Sequence, residues 1–200
     1  MSAADSLIIK YMGGMMLTTT IAAYYAISGT DAITALGYGM IPSMIQQVEG
    51  ALNDDQAKFG QEGPIKYLNL VISAVVTYTL LQGGPLDQTL TAKVYAGWSA
   101  LNGVGMYFAS DKMVEAWGAD SKTVNPVFLK GMGTFITLVG ATFWLLATGE
   151  DAIKTLGMTT ALMLATMIDG NFITGDAPGS KNMQYFWMAV NAAVCYFTLA

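Results

Sequence analysis

The sequence predicts an all-α fold, a polytopic membrane helical bundle of about seven transmembrane helices with an internal parallel repeat. Three observations predict it: the composition is apolar and poor in charge, the charges are spaced about one membrane thickness apart, and a segment near the N-terminus recurs 120 residues later. We expect residues 1–200 to form a single integral membrane domain.

The composition indicates an outer surface that meets lipid. Of the 200 residues, 54% are hydrophobic and only 12% are charged, whereas a soluble domain usually carries about 25% charged residues. The formal net charge of -5 argues against nucleic acid as a partner, because nucleic-acid binding requires a basic face.

The residue types that are absent exclude several chemistries. All nine basic residues are Lys, so the chain has no Arg and no His, and Cys195 is its single cysteine. A His-ligated metal, a Ser-His-Asp triad, an internal disulfide and an iron–sulfur cluster held by cysteines are therefore excluded. We expect a protein that is not an enzyme.

Seven long segments of the chain contain no charged residue. They are residues 11–30, 32–48, 67–86, 94–110, 131–149, 155–168 and 182–200. A helix that crosses the bilayer core needs about 17–25 residues, and six of the segments reach that range. The segment 155–168 reaches it when extended back through Lys154, whose aliphatic stem lets the ammonium group extend to the membrane interface.

Short turns group these segments into three hairpins and a final single span. Residues 28–31 form the first turn, in which Thr30 or Asp31 is placed to cap the next helix. Gly83, Gly84 and Pro85 form the second turn, and residues 148–151 form the third. Longer polar stretches separate the hairpins from each other and from the last span.

The lysines are distributed unequally between the two ends of such a bundle. If seven spans alternate, Lys93 and Lys154 lie on one side, and the other seven lie on the opposite side. Those seven are Lys10, Lys58, Lys66, Lys112, Lys122, Lys130 and Lys181. This bias predicts that the N-terminus faces the cytoplasm, stroma or matrix.

An internal repeat supports the same order of spans. Residues 10–37 align without gaps on residues 130–157 and share nine identities. We interpret this as duplication of a four-span unit, with one unit at 7–109, a truncated second unit at 127–200 and a linker at 110–126. Both copies begin on the same side, so the repeat is parallel, unlike the inverted repeats of many transporters.

Amide side chains in or near the spans are candidate ligands of a buried cofactor. They are Gln46, Gln47, Asn69, Asn102, Asn171 and Asn191. Polar side chains in a membrane are costly and need partners. One interpretation is that their oxygens coordinate the magnesium of a chlorophyll. The other is that they make hydrogen bonds between helices.

Two carboxylates occupy equivalent positions of the repeat, Glu49 and Asp169. They could also bind chlorophyll magnesium, or form an acid pair that carries protons or cations in a transporter. Because each lies at the predicted end of a helix, both could instead face solvent.

Small residues recur at every fourth position of several spans, as in Gly14, Thr18 and Ala22, in Gly133 and Thr137, and in Ser99 and Gly103. Such stripes let helix backbones approach closely in lipid. They predict either packing within this chain or a face that docks another subunit.

Together these observations lead to two alternative hypotheses about function. The first is a non-catalytic accessory subunit of a large membrane complex, photosynthetic (associated with a photosystem or antenna) and located in the thylakoid membrane. Its cofactors would be chlorophyll, carotenoid and bound lipids, and its partners membrane lipids and other membrane subunits. The alternative is a transporter of small solutes or ions.

Overall fold

The fold is all-α in a computed structural model that describes residues 3–55, 57, 64, 67–116, 122, 124–177 and 179–200. No strand occurs in these residues, so the predicted fold class is confirmed at this level. The helices are α1 (Ala3–Ile27), α2 (Ala32–Leu52), α3 (Leu68–Gln82), α4 (Gln88–Phe108), α5 (Ser110–Ala116), α6 (Pro126–Ala147), α7 (Ala152–Ile168) and α8 (Lys181–Leu199). A π-helical turn, Asp169–Ile173, continues α7.

Side-chain caps start most of the long helices where the sequence places Asp, Asn or Ser. The Asp31 carboxylate accepts a hydrogen bond from the backbone N–H of Thr34 at 2.9 Å, which confirms Asp31 rather than Thr30 as the cap of α2. Asp87, Asn125 and Ser180 cap α4, α6 and α8 in the same way. These caps satisfy N–H groups that have no partner within the helix.

The two turns of the repeat have the same backbone hydrogen bonds. Ser28 N–H donates to Tyr24 C=O at 3.0 Å, and at the equivalent position Thr148 N–H donates to Trp144 C=O at 3.0 Å. The glycines that follow these two residues have φ angles of 89° and 86°, in the left-handed region that glycine adopts without steric cost. The shared identities therefore specify one turn geometry, while duplication of the complete units stays a prediction.

Helices α4 and α6 pack with their backbones in contact. A Cβ atom added at Gly103 would lie 2.7 Å from the Gly133 carbonyl oxygen, and one added at Gly140 would lie 2.8 Å from the Ala96 carbonyl oxygen. On α1, Thr18 is fully buried and its hydroxyl lies 2.7 Å from that of Ser43 on α2. These small-residue stripes therefore pack within the chain.

The core lies between α1, α2, α3, α4 and α6, which together form the part that we call the body. Leu36, Met40, Leu80 and Phe143 have no exposed surface and belong to one cluster. A second cluster, around Ile8 and Met106, lies where α1 begins and α4 ends. The body therefore contains the close packing expected of a helical bundle.

Helices α7 and α8 pack on each other at the edge of the body. Of the described residues of α8, none is buried, and only 11% of the apolar part of α7 is buried. Aromatic side chains of α8 are strongly exposed, with Phe197 81% and Phe186 57% accessible. The α7–α8 pair is therefore apolar without being part of a core.

The expected count of about seven spans is not supported by helix length and hydropathy. Among the described residues, two helices are long and apolar enough to cross a membrane, Pro126–Ala147 and Ala152–Ile173. The seven spans were expected because seven segments contain no charged residue. Neutral Gly, Thr, Asn and Gln leave a helix uncharged but lower its hydropathy, so a segment without charge need not be hydrophobic enough to cross. Helix α3 has only 15 residues, which is shorter than the bilayer core requires.

The described charges lie at the two ends of the bundle. Ion pairs and hydrogen bonds join the start of α1 to the end of α2, and the start of α6 to the loop after α7. The described lysines at this end, which we call the lysine end, are Lys10, Lys112, Lys122, Lys130 and Lys181. Lys93 and Lys154 start helices at the opposite end, whereas Lys58 and Lys66 lie outside the described residues.

Candidate functional site

Two concave regions enclose most of the candidate residues. One is a cavity of about 330 Å³ inside the body, which we call the amide cavity. The other is a groove of about 610 Å³ between α1, α6, α7 and α8, which we call the threonine groove. Both volumes lie within the range of about 300–1,000 Å³ found for ligand sites.

The amide cavity brings together four of the eight residues predicted from the sequence. They are Gln46 and Gln47 from α2, Asn69 from α3 and Asn102 from α4. No charged side chain is among the described residues that line the cavity, and the remaining polar groups are hydroxyls of Ser and Tyr and the indole N–H of Trp98. This lining matches a small neutral molecule with hydrogen-bonding groups.

The Gln46 side chain crosses from α2 to α1. Its Nε2 donates to the Lys10 carbonyl oxygen at 2.5 Å, and its amide lies directly against Gly14, where a Cβ atom would overlap it. Gly14 therefore provides the space that this contact between helices needs. Gln46 therefore makes a hydrogen bond between helices, which is the second of the two interpretations of the buried amides.

Three of the predicted asparagines share one local geometry. Asn102, Asn171 and Asn191 each donate through Nδ2 to the carbonyl oxygen four residues earlier, at 2.7, 2.9 and 2.7 Å. This bond satisfies the amide nitrogen within the helix and directs the amide oxygen away from that carbonyl. Asn191 lines the threonine groove, while Asn171 lies in the π-helical turn and lines neither region.

Glu49 and Asp169 have different partners although they are equivalent in the repeat. Glu49 is 2.7 Å from the Lys10 ammonium, whereas Asp169 accepts a hydrogen bond from the Tyr107 hydroxyl. The repeat equivalent of Lys10 is Lys130, which pairs instead with Asp176. The two acids therefore do not form a shared carboxylate site.

A polar cluster closes the lysine end of the threonine groove. The Lys130 ammonium lies 2.5 Å from the Asp176 carboxylate, which also accepts from the Thr174 hydroxyl at 2.5 Å. These two hydrogen bonds, with that from Lys130 the stronger cause, hold the pKa of Asp176 below its ordinary value of 3.8. The charges of Lys130 and Asp176 compensate each other, and the nearby Asp169, which accepts from Tyr107, leaves this end of the groove without net positive charge.

The walls of the threonine groove combine methionines with threonine hydroxyls. Most of these hydroxyls donate to the backbone of their own helix, as Thr142 does to Leu138 and Thr159 does to Thr155. Thr155 differs from the other groove threonines in being 1% exposed with a buried hydroxyl oxygen that has no hydrogen-bond partner among the described residues. Such an unpaired buried hydroxyl is costly.

Sequence reasoning missed the groove and its polar end. The Tyr107–Asp169 and Lys130–Asp176 contacts join residues 62 and 46 positions apart, and no local pattern predicts such pairs. A signal for the groove was present, because threonines recur on one side of α7 from Thr155 to Thr166. A stripe of small residues indicates where helix backbones can approach, and does not by itself indicate a groove.

Comparison of the chain with protein-family profiles, with curated proteins and with solved structures found no match.

Proposed function

We propose that this chain is an integral membrane protein and a non-catalytic accessory subunit of a larger membrane assembly. The observation that carries the proposal is the α7–α8 pair, which is apolar and almost without buried residues. Apolar surface of this extent is unfavourable in water. A lipid surface, or a neighbouring subunit within lipid, removes that cost.

The arrangement of charges supports crossing by more helices than α6 and α7. In every long helix the described charges lie towards the ends, and the charge-free stretches between them contain 14 to 18 residues. At 1.5 Å per residue these stretches are about 21–27 Å long, close to the thickness of a thin hydrocarbon core. We propose that α1, α2, α4 and α8 cross together with α6 and α7, and that the shorter α3 crosses where the bilayer is locally thinned.

The described polar groups of these helices are largely satisfied from within the bundle. Threonine and asparagine side chains donate to carbonyl oxygens of their own helices, as Thr18 does to Gly14 and Asn102 does to Trp98. Hydrogen bonds of this kind let weakly hydrophobic helices reside in lipid. On this proposal, hydropathy alone identifies only two of the helices as spans because it scores a polar side chain in the same way whether or not the side chain is hydrogen-bonded.

The subunit assignment rests on the exposed aromatic face of α8. Phe186 and Phe197 belong to a helix that packs mainly on α7, so most of its outer surface is available to a partner. Aromatic side chains are enriched in protein interfaces. Pigment binding in a photosynthetic assembly is the narrower form of this proposal, supported by the asparagine oxygens directed away from the carbonyls that the amide nitrogens bond.

Electrophoresis of mildly solubilised membranes under native conditions tests the subunit proposal. We expect the wild-type chain to migrate with a large complex, and the double variant Phe186→Ala/Phe197→Ala to be released from it. Tyr24→Ala, at a position 65% exposed on α1, is the matched control and should remain assembled. Migration of the wild-type chain alone would contradict the proposal, and absorbance of the isolated complex tests the pigment form.

The amide cavity favours transport of a small neutral solute as the second candidate function. Its position between the helices of the body and its uncharged amide and hydroxyl lining suit a molecule such as glycerol. Glycerol flux into vesicles that contain the purified protein should fall with Asn102→Leu. It should be unchanged with Asn191→Leu, which lies outside the cavity, and equal flux in empty vesicles would exclude this function.

A further inference from the structure

We infer that the threonine groove binds one acyl chain of a bilayer glycerolipid, with the ester carbonyl of that lipid accepting a hydrogen bond from Thr155. The inference rests on the proposed location in a membrane and adds a specific lipid site to it. The site is defined by the shape of the groove, its lack of net charge and one buried hydroxyl without a partner.

The groove separates α8 from the helices of the body. Trp187, Val190 and Asn191 of α8 form one wall, and residues of α1 and α6 form the opposite wall. Between Thr155 and Gly170 the groove follows α7 for 15 residues, which corresponds to about 22 Å. One leaflet of hydrocarbon is about 15 Å thick, so the groove is long enough for a complete acyl chain.

The chemistry of the walls selects a neutral, apolar occupant. Met12, Met16, Met163 and Met167 line the groove, and methionine side chains adapt to flexible apolar chains. The threonines between them present methyl groups, because their hydroxyls mostly donate to their own helices. At the lysine end the Lys130–Asp176 pair carries no net charge that would attract an anion.

Thr155 is positioned for the polar part of such a lipid. It lies in the first turn of α7, one turn inside Asp151, which caps the helix at the end opposite the lysine end. The ester carbonyls of glycerolipids lie at the boundary between head groups and hydrocarbon, the same level as this first turn. Rotation about χ1 moves the hydroxyl of Thr155 between staggered positions, and we infer that one of these positions lets the hydroxyl donate into the groove.

Other occupants fit these observations less well. A transmembrane helix of a partner is about 10 Å across with its side chains, so a length of about 22 Å would need far more space than the 610 Å³ of this groove. A free fatty acid or another anion would lack a cation to bind, because the Lys130 ammonium is already paired with the Asp176 carboxylate at 2.5 Å. An isoprenoid quinone shares the carbonyl chemistry and is an outcome that the test distinguishes.

Native mass spectrometry of the purified protein, followed by identification of the retained molecule, tests the inference. The protein is purified from nanodiscs of dioleoyl phosphatidylcholine and transferred to detergent, and retained lipid is counted per chain. Three variants are compared with the wild type. Thr155→Val removes the hydroxyl at constant shape, Thr77→Val is the matched control at a buried threonine of α3 that does not line the groove, and Thr159→Phe fills the groove.

We expect one phosphatidylcholine per wild-type chain and the same for Thr77→Val. Loss of one neutral hydrogen bond should weaken retention in Thr155→Val about fivefold, and Thr159→Phe should abolish it. Equal retention in all four proteins would overturn the inference, and so would a retained isoprenoid in protein purified directly from cells. In either case, if the variants are still released from membranes only by detergent, the proposed membrane location stands although the lipid site does not.

Discussion

The body and the α7–α8 pair are built from similarly apolar sequence but use it in opposite ways. In the body, Gly103 and Gly140 bring the backbones of α4 and α6 into contact, and side chains such as Phe143 are fully buried. In the α7–α8 pair, large aromatic residues lie on the outside. The difference teaches that hydrophobicity stabilises the body from within, whereas in α7 and α8 much of the apolar surface is exposed, where we propose that it contacts lipid or a partner.

The largest expected effect on the free energy of unfolding comes from comparing a buried phenylalanine of the body with an exposed phenylalanine of α8. Phe143→Ala should lower the free energy of unfolding by about 3–5 kcal/mol, because it removes a fully buried ring and leaves a cavity. Phe186→Ala, 57% exposed on α8, should change it by less than about 0.5 kcal/mol. Thermal unfolding in detergent measures both, and similar losses would show that α8 is packed as tightly as the body.

Within α4, a glycine packed against the backbone of α6 should be far less replaceable than one with open space around it. Gly103→Ala should destabilise by about 1–3 kcal/mol, since the new methyl group would meet the backbone of α6, which cannot move locally. Gly97→Ala, on the same helix with nothing within 4 Å of its added Cβ, should stabilise by up to about 1 kcal/mol.

The same substitution at Gly157 extends this comparison to α7. There the added methyl group would meet the ends of the Thr198 and Leu199 side chains of α8, which can rotate away. We expect Gly157→Ala to cost clearly less than Gly103→Ala in the same unfolding measurement. A cost as large as that of Gly103→Ala would indicate that α7 and α8 are held as rigidly as the body.

The turns and caps could be predicted because their signals are local. The turn residues 28–31 and 148–151, and Asp31 as a cap, follow from a few neighbouring residues whose conformational preferences are strong. The fold class followed from composition. The number of spans did not, because a charge-free stretch that contains Gly, Thr and Asn differs from a strongly hydrophobic one in its free energy of transfer to lipid.

The candidate site was predicted only in part, because its contacts join residues that are far apart in the sequence. Four of the amides lie together in the amide cavity, but the sequence could not show that they meet. The Lys130–Asp176 pair and the unpartnered hydroxyl of Thr155 depend on how α6, α7 and α8 are placed in space. The π-helical turn after α7 and helix α5 inside the predicted linker also had no recognised local signal.

The smallest expected effect concerns pH and the lysine end of the groove. Because the pKa of Asp176 is lowered in the folded state, its stabilising contribution is present above pH 3.8 and is lost as the pH falls through the folded value. Asp176→Asn should cost about 0.2–1 kcal/mol near neutral pH and nothing after acidification below the folded pKa.

A double-mutant cycle with Lys130→Met, measured by unfolding at both pH values, isolates the Lys130–Asp176 interaction. The coupling should be present near neutral pH and vanish in acid. A coupling of the same size at both values would show that the carboxylate charge does not contribute to holding the π-helical turn and its loop against α6.

The measurement that tests the account most directly is extraction of membranes with alkaline carbonate. If the apolar faces of α7 and α8 are in contact with lipid, the chain remains in the membrane pellet and is released only by detergent. Recovery of the chain in the aqueous phase, folded and monomeric without any amphiphile, would contradict the account.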